Sequence, residues 1–441
     1  MNALLGLSLV SGPAVVAVYA VSGLALLALI LAFARSAPRG RRRRLVLAAG
    51  VLLLGLLVGW LLAGLIGGTG GPFGVDLTPV TRVWVGLGLG GLGVALVALV
   101  HALAHRRARR ALASALVGGL VLATAAMTVN IDFGQYPTVR ELLGISAYPT
   151  LAGPIATPAG EHASLETWTA PAGMPTTGSV STVTIPATQS GFPARDAVVY
   201  LPPAAQTADP PLLPVMVMLS GQPGSPSDPL AVEHLQQTLD TYAAAHAGLA
   251  PIVVSPDQLG DPTANPMCID SPLGKSATYL TVDVPNWIRA NLPVLGDAQH
   301  WAIGGLSQGG TCAIQLGAGY PQLFGNIIDA SGELAPTLGD DATTIQQGFG
   351  GDAAAYEAAK PAAILARNAP YTDSFAVFGV GANDTSFLSG VQTLHAAAEA
   401  AGMDTTYLEV PDSAHDATAW SATFDKGLEL LTARWDLVPA A

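Results

Sequence analysis

Residues 300–320 read HWAIGGLSQGGTCAIQLGAGY: a short apolar run, then Gly-x-Ser-x-Gly from Gly305 to Gly309, then an Ala-rich helical stretch. That order decides how the rest of the chain is read. A serine on a sharp turn from strand to helix needs small neighbours on both sides, because the backbone doubles back on itself and side chains there would collide. The turn lifts Ser307 clear of the strand end, where a nucleophile has to stand. A glycine-flanked serine alone is equally an ordinary tight turn; the strand before it and the helix after it separate the two readings.

Working outward, apolar and β-branched runs alternate with Ala-rich helical stretches from Gly178 onward, the pattern of an α/β sheet domain. Strands are expected at Ser179 to Ile185, Ala197 to Leu201, Val215 to Leu219, Pro251 to Ser255, His300 to Ile303, Asn326 to Asp329, Ser374 to Val380 and Thr405 to Val410. Helices are expected at about Pro229 to Ala245 and Thr278 to Asn291, besides the one after Ser307. Runs such as VMVML and PIVVS, apolar throughout, suit strands covered on both faces, so the sheet is expected to be mostly parallel with right-handed crossovers.

A serine hydroxyl needs a base, and on this turn the order along the chain is Ser, then acid, then His. Only His395 and His415 follow Ser307. His395 lies mid-way along FLSGVQTLHAAAEAAG and reads as a helix-surface residue, whereas His415 follows the strand TTYLEV by a few residues, the loop position for the base. Asp384, in FGVGANDTSF, comes just past the preceding strand and is the expected acid. Asp373 precedes that strand, Asp329 comes a strand too early, and Asp412 and Asp416 crowd His415; these read as turn or capping residues. A tetrahedral intermediate needs two backbone N–H donors, expected from Gln308 and from Gln222 in the loop Ser220 to Ser225.

Residues 1–130 are a different molecule in composition. They hold eleven arginines and one acid, Asp76, while residues 131–441 hold eight Lys plus Arg against thirty Asp plus Glu, for a net −12. The acidic part would repel a phosphate backbone, which argues against nucleic acid as a partner. Four uncharged apolar stretches at about 13–34, 45–66, 83–104 and 111–130 are each long enough to span hydrocarbon. Met1 to Pro13 has no basic residue, so a cleaved signal peptide is not the reading. Arg35, Arg39 and Arg41 to Arg44 lie between the first two spans, and Arg106, Arg107, Arg109 and Arg110 between the last two. The positive-inside rule makes both loops cytoplasmic, so the amino terminus and everything after residue 130 are expected to be extracytoplasmic, on a multi-pass plasma-membrane protein. No ionisable group lies within the spans except His101 near an end, which points to an anchor rather than a transport path. The glycine run from Gly86 to Gly93 lies inside a span with no strand before it, so close helix packing explains it better than a dinucleotide loop. Residues 131–177 are expected to be a connector, with one short helix in IDFGQYPTVRELLG, and 178–441 the catalytic domain.

Cys268 and Cys312 are the two cysteines, and in an exterior domain they are either a disulfide or two separate buried thiols. The scattered histidines and the cysteine spacing give no metal cluster, and no cofactor is expected.

The segments RDAVVYLPP, VMVMLSGQPGS, TYLTVDVPNWI, GGLSQGGTCAIQLGAGYPQLFGNIIDASGE, FGVGANDTSF and SAHDATAW together resemble the putative-esterase family of α/β hydrolases, which includes esterase D and the antigen 85 mycolyltransferases. The resemblance covers about residues 178 to 435. The Ala- and Pro-rich composition and four-helix anchor resemble membrane-anchored actinobacterial members. The resemblance implies an α/β-hydrolase fold, Ser307, Asp384 and His415 as triad, and Gln222 with Gln308 as oxyanion donors. Two departures weigh against trehalose mycolyltransfer: Ser220 stands where an aspartate or histidine is often found, and Asp384 where antigen 85 proteins use glutamate.

The expected activity is therefore hydrolysis of a carboxylic ester, with an ester or acyl lipid of the envelope as substrate. Acyl transfer to a sugar or lipid hydroxyl is the second reading, differing only in which acceptor reaches the acyl-enzyme. A catalytically inactive hydrolase-fold envelope module is the third, and the presence of all three triad residues weighs against it.

Overall fold

The computed structural model describes residues 2–36, 38–67, 77–133, 136, 138–143, 145, 148–151, 153, 162, 164–231 and 234–437. It divides into two compact units, Met1–Ile145 and Ser146–Ala441.

The first unit contains four helices, α1 (Pro13–Arg35), α2 (Arg41–Ile66), α3 (Pro79–Ala104) and α4 (Ala108–Phe133), each long and apolar enough to cross a membrane. They overrun the expected spans by a few residues. Pro79 opens α3 in the first helical turn, where its missing N–H costs nothing, and the Thr78 hydroxyl caps it by accepting from Thr81 N–H at 3.1 Å. The glycine run packs against a second helix. A Cβ on Gly55 of α2 would stand 2.3 Å from Gly90 Cα, and one on Gly59 2.5 Å from Gly86 Cα, so the two backbones touch through glycine alone. Arg44, at the start of α2, donates to the Phe33 carbonyl at 3.0 Å and so caps the C-terminal end of α1. The short helix expected in 131–144 is divided: Ile131, Asp132 and Phe133 finish α4, and a single turn, Val139–Leu142, follows with Thr138 N–H donating to Glu141 at 2.8 Å. Asp76 lies outside the described residues.

The second unit is built on an eight-stranded sheet: β1 (Ser179–Val183), β2 (Ala197–Leu201), β3 (Val215–Leu219), β4 (Ile252–Ser255), β5 (Trp301–Leu306), β6 (Asn326–Ala330), β7 (Phe375–Gly381) and β8 (Asp404–Val410). Their spatial order is β1-β2-β4-β3-β5-β6-β7-β8; β1 and β2 pair antiparallel, β2 and β4 pair antiparallel, and every other pair is parallel. This is the α/β-hydrolase arrangement. Two neighbouring residues of β6 show that both faces are covered. A Cβ on Gly317, in the helix Gln308–Gly319, would meet Ile327 Cγ1 at 2.4 Å, and one on Gly427, in the helix Ala417–Arg434, would meet Ile328 Cδ1 at 2.5 Å. Successive strand residues point to opposite faces, so the two helices flank the sheet. The core strands are buried at every residue from β2 to β7, which explains apolar runs such as VMVML in β3, although β6 also buries Asn326 and Asp329.

The structure departs from expectation in four places. The helix expected near 229–245 is two pieces, Asp228–Ala231 and Leu235–Ala245, with residues 232–233 outside the described set. The helix Ser276 to Asn291 widens to a π-turn at Tyr279–Asp283 just before Pro285, whose ring removes a backbone donor and crowds the preceding turn. A two-stranded ribbon, Asp270–Ser271 with Gly274–Lys275, and three helices, Asp341–Gly348, Ala353–Ala359 and Pro361–Asn368, carry too few periodic apolar residues to be read from sequence. Finally, described parts of the 131–177 connector pack with the second unit: Leu151 N–H donates to Thr182 O at 2.9 Å, and the buried Trp168 indole donates to Ala247 O at 3.0 Å.

Candidate active site

Ser307 sits between β5 and the helix Gln308–Gly319 with φ 53° and ψ −119°, a conformation that non-glycine residues rarely hold. Its N–H donates to Ala330 O at 2.8 Å, which ties the turn to the end of β6. Both glycines of the motif are obligatory. A Cβ on Gly305 would lie 2.4 Å from the Gly309 carbonyl carbon, and one on Gly309 would lie 2.3 Å from Ser220 O and 2.5 Å from Leu219 O. Gly310 is constrained as well, its Cβ position lying 2.6 Å from Asp329 Oδ1.

The loops after β7 and β8 bring a carboxylate and an imidazole to this turn. His415 Nε2 lies 2.9 Å from Ser307 Oγ, and His415 Nδ1 lies 2.8 Å from Asp384 Oδ2. Asp384 is fully buried and His415 is 5% exposed. The carboxylate makes Nδ1 the donor and leaves Nε2 free to accept from the serine hydroxyl. Asp384 is held in turn: its Oδ1 accepts Phe387 N–H at 3.3 Å, and its own N–H donates to Gly381 O at 3.0 Å. The two loops are laced backbone to backbone, Ala382 N–H to Val410 O at 2.9 Å and Asn383 N–H to Ser413 O at 2.8 Å. Phe387 stacks on the imidazole at 4.1 Å between centroids and Trp420 meets it edge-on at 5.2 Å, so aromatic walls fix the ring's plane.

The other carboxylates go elsewhere. Asp416 caps the helix Ala417–Arg434, accepting from Thr418 and Ala419 N–H, and also from Ala414 N–H and the Ser413 hydroxyl. Asp373 and Asp412 occupy left-handed turn positions at φ 56° and 58°. His395 lies on the helix Leu388–Ala400 and contacts Thr405 Oγ1 at 3.0 Å. Asp329 is fully buried beside Gly310; burial pushes its carboxyl up to about 7, opposed by the hydrogen bond from Gly332 N–H. Glu333 follows, its N–H donating to Thr311 Oγ1 at 2.8 Å, and desolvation raises its carboxyl to about 7.

Facing Ser307 is the loop after β3. A Cβ on Gly221 would lie 3.6 Å from Ser307 Cβ, which measures how closely the two backbones approach. Gln308 is the first residue of its helix, so its N–H has no carbonyl a turn behind it and points outward with the positive end of the helix dipole. The side chain of Gln222 turns aside and donates to Thr263 O at 2.8 Å. Cys268 and Cys312 are joined by a disulfide with Cα atoms 5.5 Å apart, which fastens the loop after β4 to the helix one turn beyond Gln308.

Sequence reasoning did not single out the residues that brace this loop. Asp257, fully buried after β4, accepts a fork from Arg195, Nε to Oδ2 at 3.0 Å and Nη2 to Oδ1 at 2.7 Å, while Arg195 Nη1 donates to Gly224 O at 3.0 Å. One signal was present: Arg195 is the sole Lys or Arg between Arg140 and Lys275 in an acidic domain. A surface groove of about 600 Å³, lined by Thr177, His234, Gln237 and Asp240 among others, includes none of the residues named at Ser307. Among the described residues no cluster of His, Cys, Asp and Glu is placed to hold a metal ion.

Residues 194–431 match the family described as putative esterase. An uncharacterised protein of Corynebacterium glutamicum is 33% identical over 348 residues, 76% of this chain and 79% of that one. Among solved structures, a ferulic acid esterase is 20% identical with a TM-score of 0.48, over 58% of this chain and 98% of the other. An S-formylglutathione hydrolase from Agrobacterium tumefaciens is 18% identical with a TM-score of 0.47, over 58% and 95%. MPT51 of Mycobacterium tuberculosis is 19% identical with a TM-score of 0.41, over 58% and 98%.

Proposed function

Because the chain belongs to the putative-esterase family, we propose that it is a membrane-anchored serine esterase that cleaves carboxylic esters through an acyl-enzyme on Ser307. The observation that carries the reading is the unbroken relay from Ser307 Oγ through His415 to the buried Asp384, at 2.9 and 2.8 Å. Ser307 Oγ attacks the ester carbonyl as His415 Nε2 takes its proton, and Asp384 steadies the imidazolium. The oxyanion of the tetrahedral intermediate is received by the backbone N–H groups of Gln222 and Gln308, which are fixed before substrate arrives. Collapse expels the alcohol, protonated by His415, and leaves the acyl group on Ser307. Water, deprotonated by the same imidazole, then releases the carboxylic acid.

Residues 1–130 act as the anchor, and the hydrolase domain from residue 178 lies outside the cytoplasm, by the arginine-rich connections between α1 and α2 and between α3 and α4. The tether holds the site at the membrane surface, which favours acyl lipids or other envelope esters as substrates. The test is labelling of the full chain in detergent with a fluorophosphonate probe, beside Ser307→Ala. Labelling of wild type alone, with ester turnover reduced by about 10⁴-fold or more in the variant, is expected. Equal labelling of both proteins would remove Ser307 as nucleophile. No labelling of a folded wild type would make the domain an inactive module.

A further inference from the structure

Oxyanion donors work only if two separate pieces of backbone keep a fixed spacing, here the loop after β3 and the first turn of the helix after Ser307. One side chain touches both. Gln258, fully buried in the loop after β4, places its Nε2 2.6 Å from Ser220 O and 3.1 Å from Gln308 Oε1. A primary amide has two N–H donors, and these two acceptors use them; Ser220 Oγ, at 3.3 Å, is a weaker third neighbour. Ser220 is two residues before Gln222, and Gln308 is itself the second donor residue, so this amide spans the two halves of the hole.

The orientation is set by what surrounds it. Turned over, Gln258 would present its own oxygen to two other oxygens, so only one of its two flips is compatible with the site. In the orientation held, its Oε1 is buried without a hydrogen-bond partner among the described residues. A buried unpaired acceptor is costly, and Leu or Met would fill the same space without that cost. That the position holds glutamine indicates that its donor end is needed.

The partners are themselves held. Gln308 Nε2 donates to Asn265 Oδ1 at 3.0 Å, and Asn265 Nδ2 donates to Thr337 O at 3.0 Å. Gly309 is pressed against the same Ser220 carbonyl, 2.3 Å from where its Cβ would be, so there is no slack between helix and loop.

We infer that Gln258 is a positioning residue that sets the spacing of the oxyanion donors through Ser220 and the side chain of Gln308. The inference rests on the proposed roles of Ser307, Gln222 and Gln308. It acts on the transition state, because only there is the carbonyl oxygen charged and drawn fully between the two N–H groups.

The test compares wild type, Gln258→Met and Gln258→Glu as full chains in detergent, with p-nitrophenyl butyrate as substrate and a trifluoromethyl ketone as a mimic of the tetrahedral adduct. Gln258→Met, similar in volume and without donors, is expected to lower kcat by about 10- to 100-fold with KM within about twofold, and to weaken the ketone in parallel. Gln258→Glu supplies a readout that a packing role would not move. Its neutral form still donates to Ser220 O, whereas its ionised form repels both oxygens, so its activity falls as pH rises through the range where wild type gains activity. If Gln258→Met is not recovered folded, the pH profile of Gln258→Glu decides alone. Wild-type kcat and ketone affinity in Gln258→Met, or a wild-type pH profile in Gln258→Glu, would overturn the inference. A wild type that neither turns over ester nor takes the fluorophosphonate would instead overturn the esterase reading beneath it.

Discussion

Asp384→Asn separates a relay from a mere contact. Asp384 is fully buried, with Oδ2 2.8 Å from His415 Nδ1 and Oδ1 accepting Phe387 N–H at 3.3 Å. An amide of the same shape has one acceptor atom, and Phe387 N–H requires it on the Oδ1 side. The NH₂ group then faces His415 and forces Nδ1 to accept, so the ring's proton moves to Nε2, pointing at Ser307 Oγ. In that tautomer the imidazole cannot take the serine proton. The same carboxylate-to-amide exchange in the best-studied serine triad costs about 10⁴ in kcat, which at this temperature corresponds to about 5 kcal/mol of barrier. Little stability is lost, because both hydrogen bonds to the residue persist with one reversed. The assay is p-nitrophenyl butyrate turnover by the full chain, paired with the rate of fluorophosphonate labelling and a circular dichroism spectrum. A folded variant that loses less than about tenfold would refute the assignment and turn attention to Glu333 and Asp329, the two carboxyls beside the nucleophile helix.

Three further outcomes are expected. Removing the Cys268–Cys312 bond, as Cys268→Ala with Cys312→Ala, opens a loop of sequence separation 44 and costs about 4 kcal/mol by chain entropy; an unchanged unfolding midpoint would mean the bond does not form. Asp329 favours its neutral form in the fold, with a carboxyl near 7 against 3.8 unfolded, so the stability that protonation gives is complete below about pH 4 and lost as pH rises to about 7. Asp329→Asn removes that slope, gaining on the order of 4 kcal/mol relative to wild type between those limits, and parallel stability curves would refute it. Trypsin added to intact spheroplasts should cleave after the exposed Lys275 while sparing the arginine-rich loops, and protection of the whole chain there with cleavage after detergent lysis would reverse the proposed sidedness.

What could be read in the sequence is what one local constraint writes. The Gly305-x-Ser307-x-Gly309 turn is legible because steric contact admits one residue type at two fixed offsets, and strands such as VMVML because burial on both faces favours an apolar run. His415 and Asp384 were found by order along the chain, each a few residues past a readable strand. The three helices between Asp341 and Asn368 were not, since Ala-rich and Asp-capped segments there bury few residues and carry no clear period.

The bracing of the site belongs to a different class of information. Arg195 meets Asp257 across 62 residues, and Gln258 meets Ser220 across 38 and Gln308 across 50. In sequence Arg195, Asp257 and Gln258 are polar side chains in polar loops, and nothing local distinguishes Gln258 from a solvated glutamine. Its partners exist only once β3, β4 and β5 lie side by side and bring their following loops to one end of the sheet. A candidate nucleophile can therefore be named from five residues, whereas the spacing of the two N–H groups proposed to serve it depends on the sheet's register. Substitutions in the loop after β4, away from every residue that touches the ester, should for that reason act on kcat.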